Sequence, residues 1–370
     1  MHVAFVDIVY GYAADRPDTD EPLGGTTSAI CFLARELVKS GVKCTFYNKI
    51  GAVQTVHGIP AKPLNALVDD AAGGDITAYI FCGRWMEVMV RLLRGLTSAP
   101  FIAWMHESAF NPQWVPALDA FDAIAFVSEW QQRINQDRVL PKWKQTVLRN
   151  AMNPLAANIF AESESIISAK TKPPVLLYAG GAARGVFHLP PILEELRKTQ
   201  QDFSVEIFCN TNPSRDPEKD AQYIDWLRNL PNVSHVGMVG QPQLIDHMKR
   251  ASFFVAPNPW PETSCIALIE AMAAGLSVIT TNRAALPETA SGFAQHVTIA
   301  EADDPIRFDM PIDPAVFAAA ISAAMDEQRL QPEQAEQKLR KQISFTNQHY
   351  QWSQRVKPWI DFVKSLTVSS

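Results

Sequence analysis

The sequence predicts an α/β fold made of two successive doubly wound domains, and three observations lead there. Short apolar runs alternate with stretches of helical period along the whole chain, the pattern of parallel strands joined by covering helices. The rhythm loosens once, through the polar stretch 161–172 and Pro173-Pro174, and then restarts. At 370 residues the chain is also too long for one ordinary α/β core. These readings give a first domain over 1–165, a second over 173–345, and a C-terminal helical segment over 346–370.

In the first half, strands are expected at 2–6, 43–47, 78–82, 101–104, 124–127 and 145–148. The clearest helix is 28–40, where Ile30, Leu33, Ala34, Leu37 and Val38 form one apolar stripe and Gly41 suits a C-terminal cap. In the second half, strands are expected at 175–178, 205–208, 234–236, 253–255, 277–280 and 295–298. Helices are expected near 189–199, 221–229, 243–250, 264–274 and 314–328. The last helix, 356–366, sets Val356, Trp359, Ile360, Val363 and Leu366 at helical spacing.

Composition narrows the function. A net charge of −6 argues against a chain devoted to nucleic acid. No apolar run is long enough to span a bilayer. The opening residues 1–7 read as a buried strand and not as a signal peptide. Cys31, Cys44, Cys82, Cys209 and Cys265 are scattered and show no metal-ligand spacing, so free thiols and a cytoplasmic location are expected.

Doubly wound sheets bind ligands at the carboxyl ends of their strands, so the loops that follow strands deserve the closest reading. The richest is 253–275. A buried strand ends at Pro257, a proline-stiffened loop follows, and Thr263 or Ser264 is expected to cap a helix that Gly275 ends. The free N–H groups at Cys265, Ile266 and beyond suit a diphosphate. Glu262 stands just before that N-terminus, where a carboxylate also simply favours the helix dipole. Glu270 is the one charged residue in an otherwise apolar helix, so it needs hydroxyl or cationic partners, and a ribose diol would serve.

Glu262 and Glu270, within Pro261-Glu262-Thr263-Ser264 and Glu270-Ala271-Met272-Ala273-Ala274-Gly275, resemble the paired glutamates of the family 4 glycosyltransferases. The Leu286-Pro287-Glu288 that follows resembles the family's continuation. The resemblance implies the GT-B architecture, two Rossmann-like domains with the active site in the cleft between them. It implies an acceptor-side first domain, a donor-binding second domain, and a C-terminal helix that crosses back to the first. By the same resemblance Glu262 binds donor-sugar hydroxyls and Glu270 the ribose. The glycine turn after residue 178, with Gly181 and Arg184-Gly185, resembles the family's donor-phosphate element. The family's first cation there is replaced by Gly180-Gly181, which leaves Arg184 as the turn's one arginine or lysine.

In the first half, Gly24-Gly25-Thr26-Thr27-Ser28 opens the first helix, and glycine there lets backbone approach a ligand. Its place matches the family turn that faces donor phosphates; a flexible loop with an ordinary cap is the plainer reading. His106 and Glu107 lie at a strand's carboxyl end, His106 being either a contact of the transferred sugar or structural. Asn150 is read as structural. Asp18-Thr19-Asp20 has the Asp-x-Asp form of metal sites, but no adjacent strand would hold it. The stretch 84–94 mixes apolar residues with three arginines, either as a half-buried helix or as a peripheral contact with an anionic membrane surface.

The resemblance thus implies a retaining, metal-independent hexosyltransferase with no cofactor. A nucleoside-diphosphate sugar would serve as donor and a glycan or lipid-linked compound as acceptor. His106, Glu262 and Arg184 carry the expected catalytic roles. Surface polysaccharide or glycolipid synthesis at the inner face of the cell membrane would suit such a chain. A non-catalytic sugar-nucleotide-binding subunit and a GT-B sugar-nucleotide epimerase are the alternatives. The absence of a G-x-G-x-x-G fingerprint weakens a dehydrogenase reading.

Overall fold

The computed structural model describes residues 1–108, 115–210, 217–300, 303–308 and 310–367. They form two compact units: Met1–Thr19 with Leu23–Ala151 and Trp352–Ser370, and Met152–Gln351 with Asp20–Pro22.

The first unit is built on eight strands: β1 (His2–Val6), β2 (Lys43–Asn48), β3 (Gln54–Val56), β4 (Ile59–Pro63), β5 (Ala78–Cys82), β6 (Phe101–Met105), β7 (Ala123–Phe126) and β8 (Lys144–Val147). Their order in the sheet is β3-β4-β2-β1-β5-β6-β7-β8. All pairings are parallel except the β3–β4 hairpin. That hairpin had no signal in the hydrophobic pattern. Its turn places His57 and Gly58 at positive φ; β3 is the sheet edge, and β4, which carries Pro60 and Pro63, lies between β3 and β2.

Among the described residues, four α-helices connect these strands: α1 (Gly25–Lys39), α2 (Ala66–Ala72), α3 (Glu87–Arg94) and α4 (Glu129–Ile134). The C-terminal helix Ser353–Thr367 packs on α1 in this unit, and the Trp359 ring meets Trp104 edge-on at 5.0 Å.

The second unit holds β9 (Val175–Ala179), β10 (Ser204–Phe208), β11 (Val233–His235), β12 (Phe253–Ala256), β13 (Ser277–Thr281) and β14 (Ala294–Val297), all parallel. Its helices are α5 (Leu189–Leu196), α6 (Pro217–Asn229), α7 (Gln241–Arg250), α8 (Ile266–Ala273), α9 (Leu286–Ala290), α10 (Pro314–Leu330) and α11 (Pro332–His349). The sheet order is β11-β10-β9-β12-β13-β14. The direction of winding therefore reverses between β9 and β12, the place where such sheets open a crevice. Two buried apolar clusters cover the two faces, one under α5 and α10 and the other around α8.

The unit boundaries differ from the expected ones at both crossings. The first unit ends at Ala151, not at residue 165, because residues 152–172, the polar stretch 161–172 among them, belong to the second unit. The polarity of that stretch is used there. Glu336 of α11 accepts hydrogen bonds from Ser165 Oγ and from the N–H groups of Ile166 and Ile167, at 3.2, 3.0 and 3.0 Å. Buried Lys170 donates from Nζ to the carbonyls of Lys249 and Ala274, at 3.0 and 2.7 Å. The helix α11 carries the chain of this unit past residue 345. Its buried face includes Gln342 and Thr346, and Gln342 spans 3.0 Å to the carbonyls of both Met272 and Leu276, so apolar periodicity could not announce it.

Candidate functional site

In the second unit, the loops that leave β9 and β12 meet at the point where the winding reverses. The β9 loop is a short 3-10 turn over Ala182–Arg184, closed by Gly185 at φ +108°. Tyr178 Oη donates to the Gly181 carbonyl over 3.0 Å, and the Arg184 N–H returns to that carbonyl over 2.9 Å. These two bonds fold the turn back on its strand.

The loop after β12 is held from beneath by β13. Thr280 Oγ1 donates to the Ala256 carbonyl at 2.8 Å, and Thr281 Oγ1 to the Asn258 carbonyl at 2.6 Å. Asn258 is itself buried and accepts from the Trp260 N–H at 2.9 Å. Glu262 is clamped through its backbone, its N–H reaching the Trp260 carbonyl at 2.8 Å and its carbonyl accepting from Ala285 at 3.0 Å. The hydroxyls of two buried threonines thus replace the freedom a proline-rich loop would otherwise keep.

On this frame the structure brings Arg184 and Glu262 together. The Arg184 Nε donates to Glu262 Oε2 over 2.8 Å, with the arginine side chain 44% exposed and the glutamate 8%. The Glu262 carboxylate pushes the Arg184 pKa further up, so the guanidinium stays charged. The pair leaves the terminal guanidinium nitrogens for a further anion, with Nη1 3.1 Å from where a Cβ on Gly181 would stand.

Helix α8 departs from the expected capping. Its N-cap is Cys265, with no side-chain cap bond, and not Thr263 or Ser264, which lie half-buried in the approach to it. The first-turn N–H groups start at Ile266, beyond Thr263 and Ser264. The Cys265 thiol is pushed up to about 12 by burial and then by Glu262, so it acts as a small apolar cap and not as a nucleophile. Gly275 ends the helix at φ +67° as expected, tight against Ile166, Ile343 and Phe160.

Glu270, on the buried middle of α8, is 2% exposed. Its Oε1 accepts from the Asn153 N–H at 3.2 Å, and Oε2 takes no hydrogen bond from any described residue. Burial pushes its carboxyl up to about 8, and the Asn153 N–H offsets only part of that rise. A protonated or half-compensated carboxyl in this position can receive the hydroxyls of a ligand.

Two features near this site were not foreseen. Trp260 and Phe308 stack at 5.5 Å, and the loop that carries Phe308 is pinned by buried Arg283, whose Nη2 donates to the Pro305 and Arg307 carbonyls at 2.9 and 2.5 Å. Ala284, directly before the contact with Glu262, sits at φ +55°. Neither an isolated arginine nor an alanine in the left-handed region leaves a trace in hydrophobic periodicity.

In the first unit, Gly24 is the N-cap of α1 and Gly25 its first residue, both exposed; no threonine or serine side chain caps this helix, contrary to expectation. Gly24 has φ −80°, and a Cβ there would meet nothing within 4 Å, so the fold itself does not require glycine. His106 follows β6, half-buried against Trp104 with ring centroids 4.6 Å apart. Burial lowers its pKa to about 3, which keeps the imidazole neutral. Glu107 pairs with Arg84 at 3.3 Å. Asp18 is engaged by Arg35 at 2.8 Å.

On α3, Arg91 bridges Glu87 and Asp119 at 2.7 and 3.2 Å, and Arg94 bonds the Ala99 and Ala120 carbonyls. The arginines of this helix thus have anionic or carbonyl partners within the unit. Among the described residues no helix is long and apolar enough to cross a membrane.

Residues 173–327, which lie within the second unit, match the sequence model of the family described as glycosyl transferases group 1. Among curated proteins, none matches the sequence. Solved structures similar to the whole chain include a glycosyltransferase from Rickettsia africae, with a TM-score of 0.75 and 13% identity over 100% of this chain and 99% of that one. A sucrose-phosphate synthase from Thermosynechococcus elongatus is similar with a TM-score of 0.74 and 14% identity over 100% of both chains. The HepE protein of Anabaena, solved with UDP and glucose, has a TM-score of 0.70 and 12% identity over 99% of this chain and 100% of that one. At such identities the likeness shows the fold, and the fold is GT-B.

Proposed function

We propose that this chain transfers a hexose-type sugar from a nucleoside diphosphate to an acceptor hydroxyl. The observation that carries this reading is the Arg184–Glu262 pair at the reversal point of the sheet, followed on one helix by buried Glu270. The terminal nitrogens of Arg184 and the first turn of α8 receive the diphosphate, Glu262 receives sugar hydroxyls, and Glu270 the ribose diol. The match to group 1 glycosyl transferases across this unit supports the same assignment.

In the reaction the anomeric C–O bond breaks, and its electron pair stays on the departing diphosphate. Arg184 and the helix N-terminus stabilise that growing charge. The acceptor oxygen bonds the anomeric carbon from the face the diphosphate leaves, which retains configuration, and its proton passes to a diphosphate oxygen. No side-chain nucleophile is required, in keeping with a Cys265 thiol that burial keeps protonated. A neutral His106 serves as a contact for the transferred sugar and not as an ion-pair partner. The reading includes independence of metals and cofactors, a glycan or lipid-linked acceptor, and action in the cytoplasm at the inner membrane face.

A second reading, a sugar-nucleotide-binding subunit without turnover, is favoured by one feature: Gly180-Gly181 stands where a first phosphate-binding cation is expected. One experiment separates the two. The chain is incubated with UDP-, GDP- and ADP-sugars, and nucleotide binding and nucleoside-diphosphate release are both measured. Release supports transfer or hydrolysis, binding without release supports the subunit, and neither one sinks both readings.

A further inference from the structure

Glu270 does not hold its place by itself. Its carboxylate leans on the backbone N–H of Asn153, and that residue is fixed on every side. Asn153 Oδ1 accepts from the Leu155 N–H at 2.9 Å, capping the 3-10 turn Pro154–Ala156. Asn153 Nδ2 donates over 3.1 Å to Oε1 of Gln241, the first residue of α7. One residue earlier, the Met152 N–H reaches the Tyr350 carbonyl at 3.0 Å. Gln241, Asn153 and Glu270 are all buried, at 8%, 1% and 2% exposure. Three buried polar residues from three separate parts of the sequence form one chain, through the Asn153 side chain on one side and its backbone N–H on the other, that ends on the carboxylate.

The direction of that chain matters. A buried glutamine at the first position of a helix is costly unless it is bonded, and its bond here goes to the one side chain that orients the Asn153 N–H. That N–H occupies Oε1 and so decides which carboxyl oxygen stays open. Without it, the carboxyl of Glu270 is free to rotate, and no described residue would replace the lost donor.

Resting on the reading of Glu270 as the ribose contact, we propose that Gln241 and Asn153 are positioning residues that orient Glu270, so that one carboxyl oxygen is presented to the two ribose hydroxyls of the donor nucleotide. They act through Glu270 and touch no reacting atom. The consequence is specific: they set discrimination between a ribose and a sugar without the diol, and they leave the grip on the diphosphate alone.

The test uses the full chain with two probe pairs, UDP against 2′,3′-dideoxy-UDP and GDP against its dideoxy counterpart, with dissociation constants from calorimetry. Gln241→Met removes the acceptor and keeps the bulk. It is expected to weaken the ribonucleotide about 5–10-fold. The dideoxy analogue should bind unchanged. Gln241→Glu keeps an acceptor oxygen and is expected to hold the wild-type ratio. If Gln241→Met weakens both analogues equally, or neither, the chain is only structural and the inference is overturned.

Glu270→Ala separates this failure from failure of the site. If it leaves the ratio at wild type, Glu270 does not read the ribose, and both readings fall. If it collapses the ratio while Gln241→Met does not, the positioning role alone falls. Thermal melts of each variant show whether the fold is intact. Failure of both nucleotides to bind the intact chain overturns the site and this inference together.

Discussion

A Cβ placed on Gly185 would stand 1.8 Å from the carbonyl oxygen of Pro257. The turn after β9 and the loop after β12 therefore touch backbone to backbone, and this contact brings Arg184 within reach of Glu262. Gly185 also holds φ at +108°, where side chains rarely go. Gly185→Ala is expected to cost about 3 kcal/mol or more of stability and to abolish nucleotide binding. Gly24→Ala is the control, expected to cost less than about 1 kcal/mol because the position is open. Urea denaturation of both variants checks this, and equal costs would refute the backbone contact.

Arg184 holds Glu262 and leaves its terminal nitrogens exposed, so its removal should act twice. Arg184→Ala leaves a buried carboxylate without its partner. The expected cost is about 1–2 kcal/mol, below the figure for fully buried pairs because the arginine is 44% exposed. Donor affinity should fall at least tenfold. Arg184→Lys keeps the charge without the planar fork and should lie between. An affinity loss as large as alanine's would show that geometry and not charge dominates.

The buried carboxyl of Glu270 gives the protein a pH signature. Its folded pKa of about 8 lies above its ordinary value of 4.5, so between those values the folded chain keeps a proton that the unfolded chain has lost. Stability from this group is full below about pH 4.5, falls as pH rises toward 8, and levels off beyond. Glu270→Gln removes the dependence. Its stability advantage over the native chain should grow by roughly 3–5 kcal/mol between pH 4.5 and pH 8.5. Urea titrations of both proteins across that range measure it, and a constant difference would count against a buried, proton-holding carboxyl.

Ala284 occupies the left-handed region at φ +55° beside the backbone clamp on Glu262. Ala284→Gly relieves a strain of roughly 1–2 kcal/mol and gives back part of it as unfolded-state entropy. A net stabilisation of about 0.5–1 kcal/mol is expected, readable as a higher urea midpoint with unchanged slope.

The strands of the two sheets were legible because buried parallel strands read as apolar runs, and Val3–Val6 or Phe253–Val255 leave little else to read. Glu270 was legible because a charge in a wholly apolar helix has no bland explanation. The β3–β4 hairpin was not, since β3 is short and exposed and the two prolines of β4 interrupt any alternation. The cap of α8 was misread because Thr263 and Ser264 have the right chemistry in sequence, while the tertiary clamp on Glu262 starts the helix later. Asn153 and Gln241 were invisible for a plainer reason. A polar side chain bonded across 88 residues leaves no local pattern.

All five native thiols are buried, and burial pushes every one of them well up, Cys209 to about 11 and Cys44 and Cys265 to about 12. Maleimide chemistry at neutral pH should therefore ignore the native chain. A single cysteine introduced at the open position Gly24 would take an environment-sensitive dye by itself. The protein thus accepts a site-specific optical label at the start of α1 with no prior removal of its own sulfur.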